Sequence, residues 1–201
     1  MNIVDEMVTI LRMVTEEEKR TLLGIARGSI LQALLGRGSR AKAPEASTES
    51  LPERLRRPGG AFVTIRHAGE LRGCIGYIES PLPLATVVAE VAEKAAFHDP
   101  RFQPLGVREA EEMVLEVSIL SPLEPITSVE EIKVGYHGLL IEQGFSRGLL
   151  LPQVAQEYGW TREELLEHTA RKAGLGKDAW KDPASTLYIF SADIVREEVH
   201  A

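Results

Sequence analysis

LRGCIGY, residues 71–77, is the stretch around which the rest of the sequence can be arranged. It holds Cys74, the one cysteine of the 201-residue chain, with an arginine two residues before it and glycines at positions 73 and 76. Because each glycine weakens strand pairing, a strand that only fills a core is not expected to carry two of them. A glycine within a strand pattern indicates a bulge, or a place where a ligand or another backbone segment comes close. The stretch therefore predicts a strand that also forms part of a site.

This strand is the second half of a β-hairpin predicted over residues 60–77. In the first half, apolar residues occupy both alternating faces of residues 61–66, which is typical of a strand in the centre of a sheet. Residues 67–70 supply the turn. Because side chains alternate along a strand, Arg72, Cys74 and Gly76 are expected on one face and residues 71, 73, 75 and 77 on the other. Arg72 and Cys74 are thus predicted to point the same way.

Helical patterns surround the hairpin. Capping boxes at residues 15–18 and 161–164 predict the starts of two helices, and the first continues to Gly36. Another helix ends at Phe97-His98-Asp99-Pro100, because the residue before a proline avoids the helical region. Further strands are predicted over residues 114–120 and 187–194, the latter returning to the main sheet, and a second hairpin lies within residues 139–151. Without strict βαβ alternation, the order favours an α+β fold with antiparallel sheet flanked by helices.

Composition narrows the class of protein. Apolar residues make up 44% of the chain, which is enough for a substantial core in one large domain or two joined lobes. The net charge of -7, without a Lys/Arg run, argues against a nucleic-acid partner. A single cysteine cannot form an internal disulfide, so a cytoplasmic location is expected. No apolar run approaches the roughly 20 residues of a membrane span, and residues 1–14 do not resemble a signal peptide.

The Cys74 side chain has three possible roles. It is a nucleophile if a neighbouring cation such as Arg72 favours the thiolate, with His137 or His98 as the base. It is a small apolar filler if it is buried, as free cysteines commonly are. In the third role the side chain contacts a ligand without covalent chemistry.

Two other segments carry candidate polar groups. Asp99 and Arg101 follow the end of a helix, where they either bind a substrate or fix the turn through a mutual contact. His137 stands between glycines at 135 and 138, in a turn that leaves it sterically free to reach a site. The histidines and the cysteine are scattered without CxxC or HxxxH spacing, so neither a metal site nor a cofactor is predicted.

Four segments together resemble the AMMECR-one domain family. They are residues 70–77 (ELRGCIGY), 95–102 (AAFHDPRF), 134–141 (VGYHGLLI) and 148–160 (GLLLPQVAQEYGW), of which LRGCIG is the family's hallmark. The resemblance covers residues 15–197 and leaves residues 1–14 as an N-terminal extension. It implies a larger α+β lobe and a smaller lobe, the smaller built mainly around residues 70–80 and 134–180. A cleft near the hallmark strand is implied between the two lobes.

The family's biochemical activity is not settled, so the resemblance implies partner proteins but no particular reaction. Members are often encoded beside, or fused to, a Memo-type protein and a radical-SAM protein, which implies such partners. One hypothesis is an enzyme or enzyme component whose catalytic residues are Cys74 and His137. Its ligand would be an unknown small molecule, bound by Arg72, Gly73, Gly76, Asp99 and Arg101. The other hypothesis is a non-catalytic adaptor domain for one of the partner proteins. The sequence does not determine the oligomeric state.

Overall fold

The computed structural model describes residues 14–36 and 50–198. The described residues form five α-helices, which are α1 Glu16–Gly36, α2 Leu84–Phe97, α3 Val107–Glu112, α4 Pro152–Tyr158 and α5 Arg162–Lys172. They also form eight strands, which are β1 Ala61–His67, β2 Glu70–Tyr77, β3 Val114–Leu120, β4 Glu124–Ile126, β5 Gly138–Gln143, β6 Ser146–Leu150, β7 Thr186–Phe190 and β8 Ala192–Arg196. Short 3-10 helices occur at Glu53–Arg56, Val129–Glu131 and Ala179–Lys181. The predicted α+β class with antiparallel sheets is confirmed.

The chain divides into two compact units. The first comprises residues up to 120 together with those from 193 onward, and the second comprises residues 121–192. Residues 70–80 thus belong to the first unit, which differs from the division expected from the sequence. The physical reason is strand pairing, because β2 is hydrogen-bonded along its length to β1, which in turn pairs with β3. Residues 1–13 of the expected N-terminal extension lie outside the described residues.

The sheet of the first unit has the strand order β2-β1-β3-β8, so β1 is central as predicted. One face of this sheet is apolar, because alternate residues of β1 and β3 are buried there. Buried residues of α1 and α2 belong to the same core. The predicted capping box opens α1: the Thr15 N–H donates to Glu18 Oε2 at 2.8 Å, and the Glu18 N–H donates to Thr15 Oγ1 at 3.2 Å. The core residues at 0% exposure include Leu22, Val63, Val88, Val91 and Leu115.

The pairing of β1 with β2 contains an irregularity that the sequence analysis did not predict. Thr64 lies opposite Cys74 and Ile65 opposite Gly73, but Arg66 lies opposite Leu71. Arg72 is therefore the extra residue of a β-bulge, a feature that bends a strand and redirects side chains. The strict alternation assumed for residues 71–77 is interrupted between Leu71 and Gly73.

The second unit has a sheet of order β4-β7-β5-β6 with its own core. α5 packs against β5 and β6, and its predicted capping box is present, with the Thr161 N–H donating to Glu164 Oε2 at 2.8 Å. The predicted second hairpin is also present, with Gly144 and Phe145 as the two residues between its strands. Core residues of this unit include Leu139, Ile141, Leu165 and Leu166.

The prediction of a single last strand over residues 187–194 was wrong. The chain forms β7 in the sheet of the second unit, leaves it at Ser191, and continues as β8 in the sheet of the first unit. The Ser121 N–H donates to the Ser191 carbonyl at 2.9 Å, and the Ser191 N–H donates to Ser121 Oγ at 3.0 Å. These two bonds satisfy backbone groups at the point where the chain leaves the second sheet.

Candidate functional site

The second face of the first sheet carries a row of polar side chains. The register aligns Cys74 of β2, Thr64 of β1 and Glu116 of β3 across three neighbouring strands. Arg196 of β8 extends the row, because its Nε donates to Glu116 Oε2 at 2.9 Å. We call these four residues the polar row. Thr64 and Glu116 are each only 8% exposed, and buried polar groups require hydrogen-bond partners.

The thiol of Cys74 is free and partly exposed. The Thr64 hydroxyl donates a hydrogen bond to Cys74 Sγ at an O–S distance of 3.4 Å. A hydrogen bond to the sulfur fixes its position within the polar row. Strand pairing therefore supplies Cys74 with a hydroxyl partner.

Asp99 and Arg101 hold the backbone of Cys74 rather than its side chain. The Cys74 N–H donates to Asp99 Oδ2 at 2.9 Å, and Arg101 Nη2 donates to the Cys74 carbonyl at 3.2 Å. The two side chains also form a double hydrogen bond, at 3.0 Å and 2.7 Å. Since β2 is an edge strand, the pair takes the place that a further strand would occupy, which blocks pairing with another chain.

This pair remains ionised at neutral pH. The hydrogen bonds from the Arg101 side chain lower the pKa of Asp99 to about 2, against the opposing effect of burial and with help from the Cys74 N–H. The same hydrogen bonds raise the pKa of Arg101. Asp99 is 4% exposed and already accepts bonds from Cys74 and Arg101. It is therefore a fixed anion that positions β2, and its low pKa makes it a poor general base.

Arg72 is bound to a partner that the sequence analysis did not identify. Its Nε and Nη2 donate to the two carboxylate oxygens of Glu109 at 2.6 Å and 3.1 Å, and Nη2 also reaches the Pro104 carbonyl at 3.4 Å. Its Nη1 is buried without a hydrogen-bond partner among the described residues. The hydrogen bonds from Arg72 lower the pKa of Glu109, which keeps the pair charged.

Phe102 links Arg72 to the Asp99–Arg101 pair. The Arg72 guanidinium carbon lies 5.9 Å from the centroid of the Phe102 ring, and that of Arg101 lies 5.3 Å from it. Both distances are within the range of cation–π attraction. The structure thus brings Arg72, Asp99 and Arg101 together around β2, while Cys74 Sγ itself is contacted by Thr64.

The two hallmark glycines are approached closely by the chain itself. A Cβ on Gly73 would lie 2.2 Å from the Ala95 carbonyl oxygen of α2. A Cβ on Gly76 would lie 2.3 Å from Cγ of Phe62 and 2.5 Å from the Ala61 carbonyl oxygen. Internal packing therefore explains why both positions exclude a side chain, and a ligand-binding role for them stays a prediction.

The candidate histidines have other contacts. His137 belongs to the second unit, where its Nδ1 accepts the Lys133 N–H at 3.2 Å and its ring lies 5.0 Å from that of Tyr136. Burial, followed by the charge of Lys133, lowers the pKa of His137. His98 is exposed at the end of α2, where its N–H donates to the Lys94 carbonyl. The pairing of a histidine with Cys74 stays a prediction.

Sequence reasoning missed three residues of this region: Thr64, Phe102 and Glu109. Thr64 was within reach, since pairing residues 61–67 with residues 70–77 places it opposite Cys74. Glu109 is 37 residues from Arg72, and no local pattern joins them. Within residues 14–36 and 50–198, no group of three or more His, Cys, Asp or Glu side chains could hold a metal ion. None of the helices described there is long and apolar enough to cross a membrane.

Comparison with known proteins identifies the family. The family model AMMECR1 matches residues 23–195, so the chain belongs to the AMMECR1 family. This is the AMMECR-one domain family that the sequence resembles, and that prediction is confirmed. It is 44% identical over 191 residues to a protein of Methanothermobacter thermautotrophicus, covering 92% of this chain and 96% of the relative. A protein of Methanocaldococcus jannaschii is 42% identical over 195 residues, covering 93% and 94%. The crystal structure of an uncharacterized protein from Pyrococcus horikoshii superposes with a TM-score of 0.82 at 38% identity, covering 92% and 94%.

Proposed function

We propose that this AMMECR1-family chain is a cytoplasmic enzyme, or enzyme component, that acts on a small molecule at the polar row with Cys74 as the reactive group. The observation that carries the proposal is the hydrogen bond from the Thr64 hydroxyl to Cys74 Sγ. A cysteine that served only to fill a core would lie among apolar side chains, whereas this thiol is partly exposed and has a polar donor.

The surrounding contacts supply the rigidity that such a site needs. Both backbone groups of Cys74 are hydrogen-bonded by the Asp99–Arg101 pair, so the strand that carries the thiol is held from its outer edge. Arg101 is half exposed and carries its positive charge beside Cys74. In this proposal Cys74 is the nucleophile, Thr64 hydrogen-bonds its sulfur, and Asp99 and Arg101 position its backbone.

Matched substitutions of Thr64 test the role of its hydroxyl. Thr64→Val removes the donor and keeps the shape of the side chain, whereas Thr64→Ser keeps the donor. The measurement is the rate at which Cys74 reacts with iodoacetamide at pH 7, followed by mass spectrometry. We expect Thr64→Val to react about fivefold more slowly than wild type, in line with the net value of one hydrogen bond. Thr64→Ser should remain within about twofold of wild type. Equal rates for the Val and Ser variants would contradict the proposal.

A second candidate function, an adaptor domain for a Memo-type or radical-SAM partner, is favoured by Phe145. This aromatic residue lies at the tip of the β5–β6 hairpin and is fully exposed, an unusual position for a large apolar ring. Co-purification with each candidate partner tests this function. The adaptor hypothesis predicts a complex that survives Cys74→Ser and is lost with Phe145→Ser. Absence of a complex with either partner would count against it.

A further inference from the structure

The second unit carries a stack of three aromatic rings that the proposed function does not use. The rings of Tyr158 and Trp160 have centroids 5.0 Å apart and planes inclined by 16°. The rings of Trp160 and His168 are 4.1 Å apart and inclined by only 2°. We call these three side chains the ring stack. The three rings are nearly parallel, so a stack of this kind presents a flat ring face at its end.

Backbone geometry between α4 and α5 holds the ring stack in place. Gly159 has φ of +63°, which ends α4 in a left-handed turn. The Trp160 N–H then donates to the Ala155 carbonyl at 2.9 Å, and the Gly159 N–H donates to the Gln156 carbonyl at 3.2 Å. This pair of bonds is a Schellman motif. It returns the chain so that Trp160 lies against Tyr158, and α5 begins directly afterwards and carries His168.

The middle ring of the ring stack is partly buried, whereas the Tyr158 ring at one end is exposed. Trp160 is partly buried and packs against the apolar core of the second unit, which anchors the middle of the stack. Tyr158 is 68% exposed although its ring lies against that of Trp160, so solvent covers the rest of its surface. The stack therefore ends in an aromatic face on which one more planar group can lie.

Three exposed carboxylates lie next to the ring stack in the sequence. Glu157, next to Tyr158, is exposed, as are Glu163 and Glu164 on the first turn of α5. Hydrogen bonds from Thr161 lower the pKa of Glu164, and the carboxylate of Glu164 interacts electrostatically with His168. The nearby cation Arg162 is bound to Glu130 at 2.6 Å. These carboxylates disfavour phosphate-bearing ligands and favour cations.

From these observations we infer that the ring stack binds the guanidinium group of an arginine on a partner peptide or protein. Guanidinium is planar and positively charged, so it can stack on the Tyr158 ring while its N–H groups face the carboxylates. Lysine ammonium has the same charge but is not planar, so it matches this surface less well. The site lies within the second unit and is independent of Cys74.

Fluorescence of Trp160 tests the inference directly. The chain has two tryptophans, so Trp180→Phe leaves Trp160 as the only tryptophan signal. Tetra-arginine amide and tetra-lysine amide, which carry equal charge, are titrated into this protein. We expect a saturable change with tetra-arginine at a Kd about fivefold lower than with tetra-lysine, the range of one exposed cation–π contact.

Two variants complete the experiment. Tyr158→Leu should abolish the preference for arginine, whereas Tyr136→Leu, which removes another exposed tyrosine of the same unit, should preserve it. Circular dichroism confirms that each variant is folded. Equal affinity for the two peptides, an unchanged preference in Tyr158→Leu, or tighter binding of adenosine monophosphate than of tetra-arginine would each overturn the inference.

Discussion

Gly73→Ala introduces one methyl group where the hallmark strand meets α2. The new Cβ would lie 2.2 Å from the Ala95 carbonyl oxygen, whereas ordinary contact begins at 3.4 Å, so the two must separate by about 1.2 Å. Both atoms are fixed to backbone, one in β2 and one in α2, so no side-chain rotation can relieve the overlap. The substitution therefore moves a helix relative to a sheet.

The size of the effect follows from two opposing contributions. Overpacking of this kind costs about 3 kcal/mol, the upper end of its range, because backbone lies on both sides. Alanine regains roughly 0.5–1 kcal/mol relative to glycine within a strand. We therefore expect Gly73→Ala to lower the free energy of unfolding by about 2 kcal/mol.

Equilibrium urea unfolding, followed by far-ultraviolet circular dichroism, measures this change. Gly24→Ala is the matched control, because Gly24 lies within α1 and a Cβ there meets nothing within 4 Å. The control should be stabilised by about 1 kcal/mol, the helix preference of alanine over glycine. If Gly73→Ala unfolds within 0.5 kcal/mol of wild type, within the usual range of surface substitutions, the close approach of α2 to β2 is refuted.

Three further predictions concern single residues. Gly159→Ala should destabilise the protein by about 1 kcal/mol in urea unfolding, because a φ of +63° is strained for alanine. The added Cβ meets no neighbour within 4 Å, so an unchanged free energy of unfolding would contradict the left-handed turn. The pKa of Asp99, lowered from 3.8 to about 2, means that the ionised carboxylate stabilises the fold above about pH 4. That stabilisation, roughly 2 kcal/mol, is lost as the pH falls to about 2, and Asp99→Asn should lack this pH-dependent part. Because the pKa of His137 is lowered, its neutral form stabilises the fold above pH 6.5, and this contribution is lost as the pH falls. An NMR titration of His137 should therefore give a midpoint below 6.5, and a midpoint above 6.5 would refute the effect of its burial.

Features encoded by local patterns could be predicted from the sequence. The capping boxes at Thr15 and Thr161 are present because their hydrogen bonds join residues three apart. The end of α2 before Pro100 follows from the steric demand of proline on its predecessor. The central position of β1 follows from apolar residues on both of its faces.

Features that depend on distant contacts could not be predicted in this way. Residues 187–194 read as one strand because their apolar pattern continues past Ser191, and nothing local shows that the chain changes sheets there. The bulge at Arg72 likewise depends on pairing with β1, and the Arg72–Glu109 contact joins residues 37 positions apart. In the candidate site, Cys74, Asp99 and Arg101 were identified from the sequence, but not that Asp99 and Arg101 bind the Cys74 backbone.

The reactivity of Cys74 in the folded protein tests the central proposal most directly. The measurement compares alkylation by iodoacetamide at pH 7 in the native protein and in urea, where sulfur bonds to carbon, iodide leaves with the bonding electrons and the thiol proton passes to buffer. The proposal predicts that native Cys74 reacts at least as fast as the unfolded chain, because its thiol is partly exposed and held in place by Thr64. A cysteine that reacts only after unfolding would contradict it.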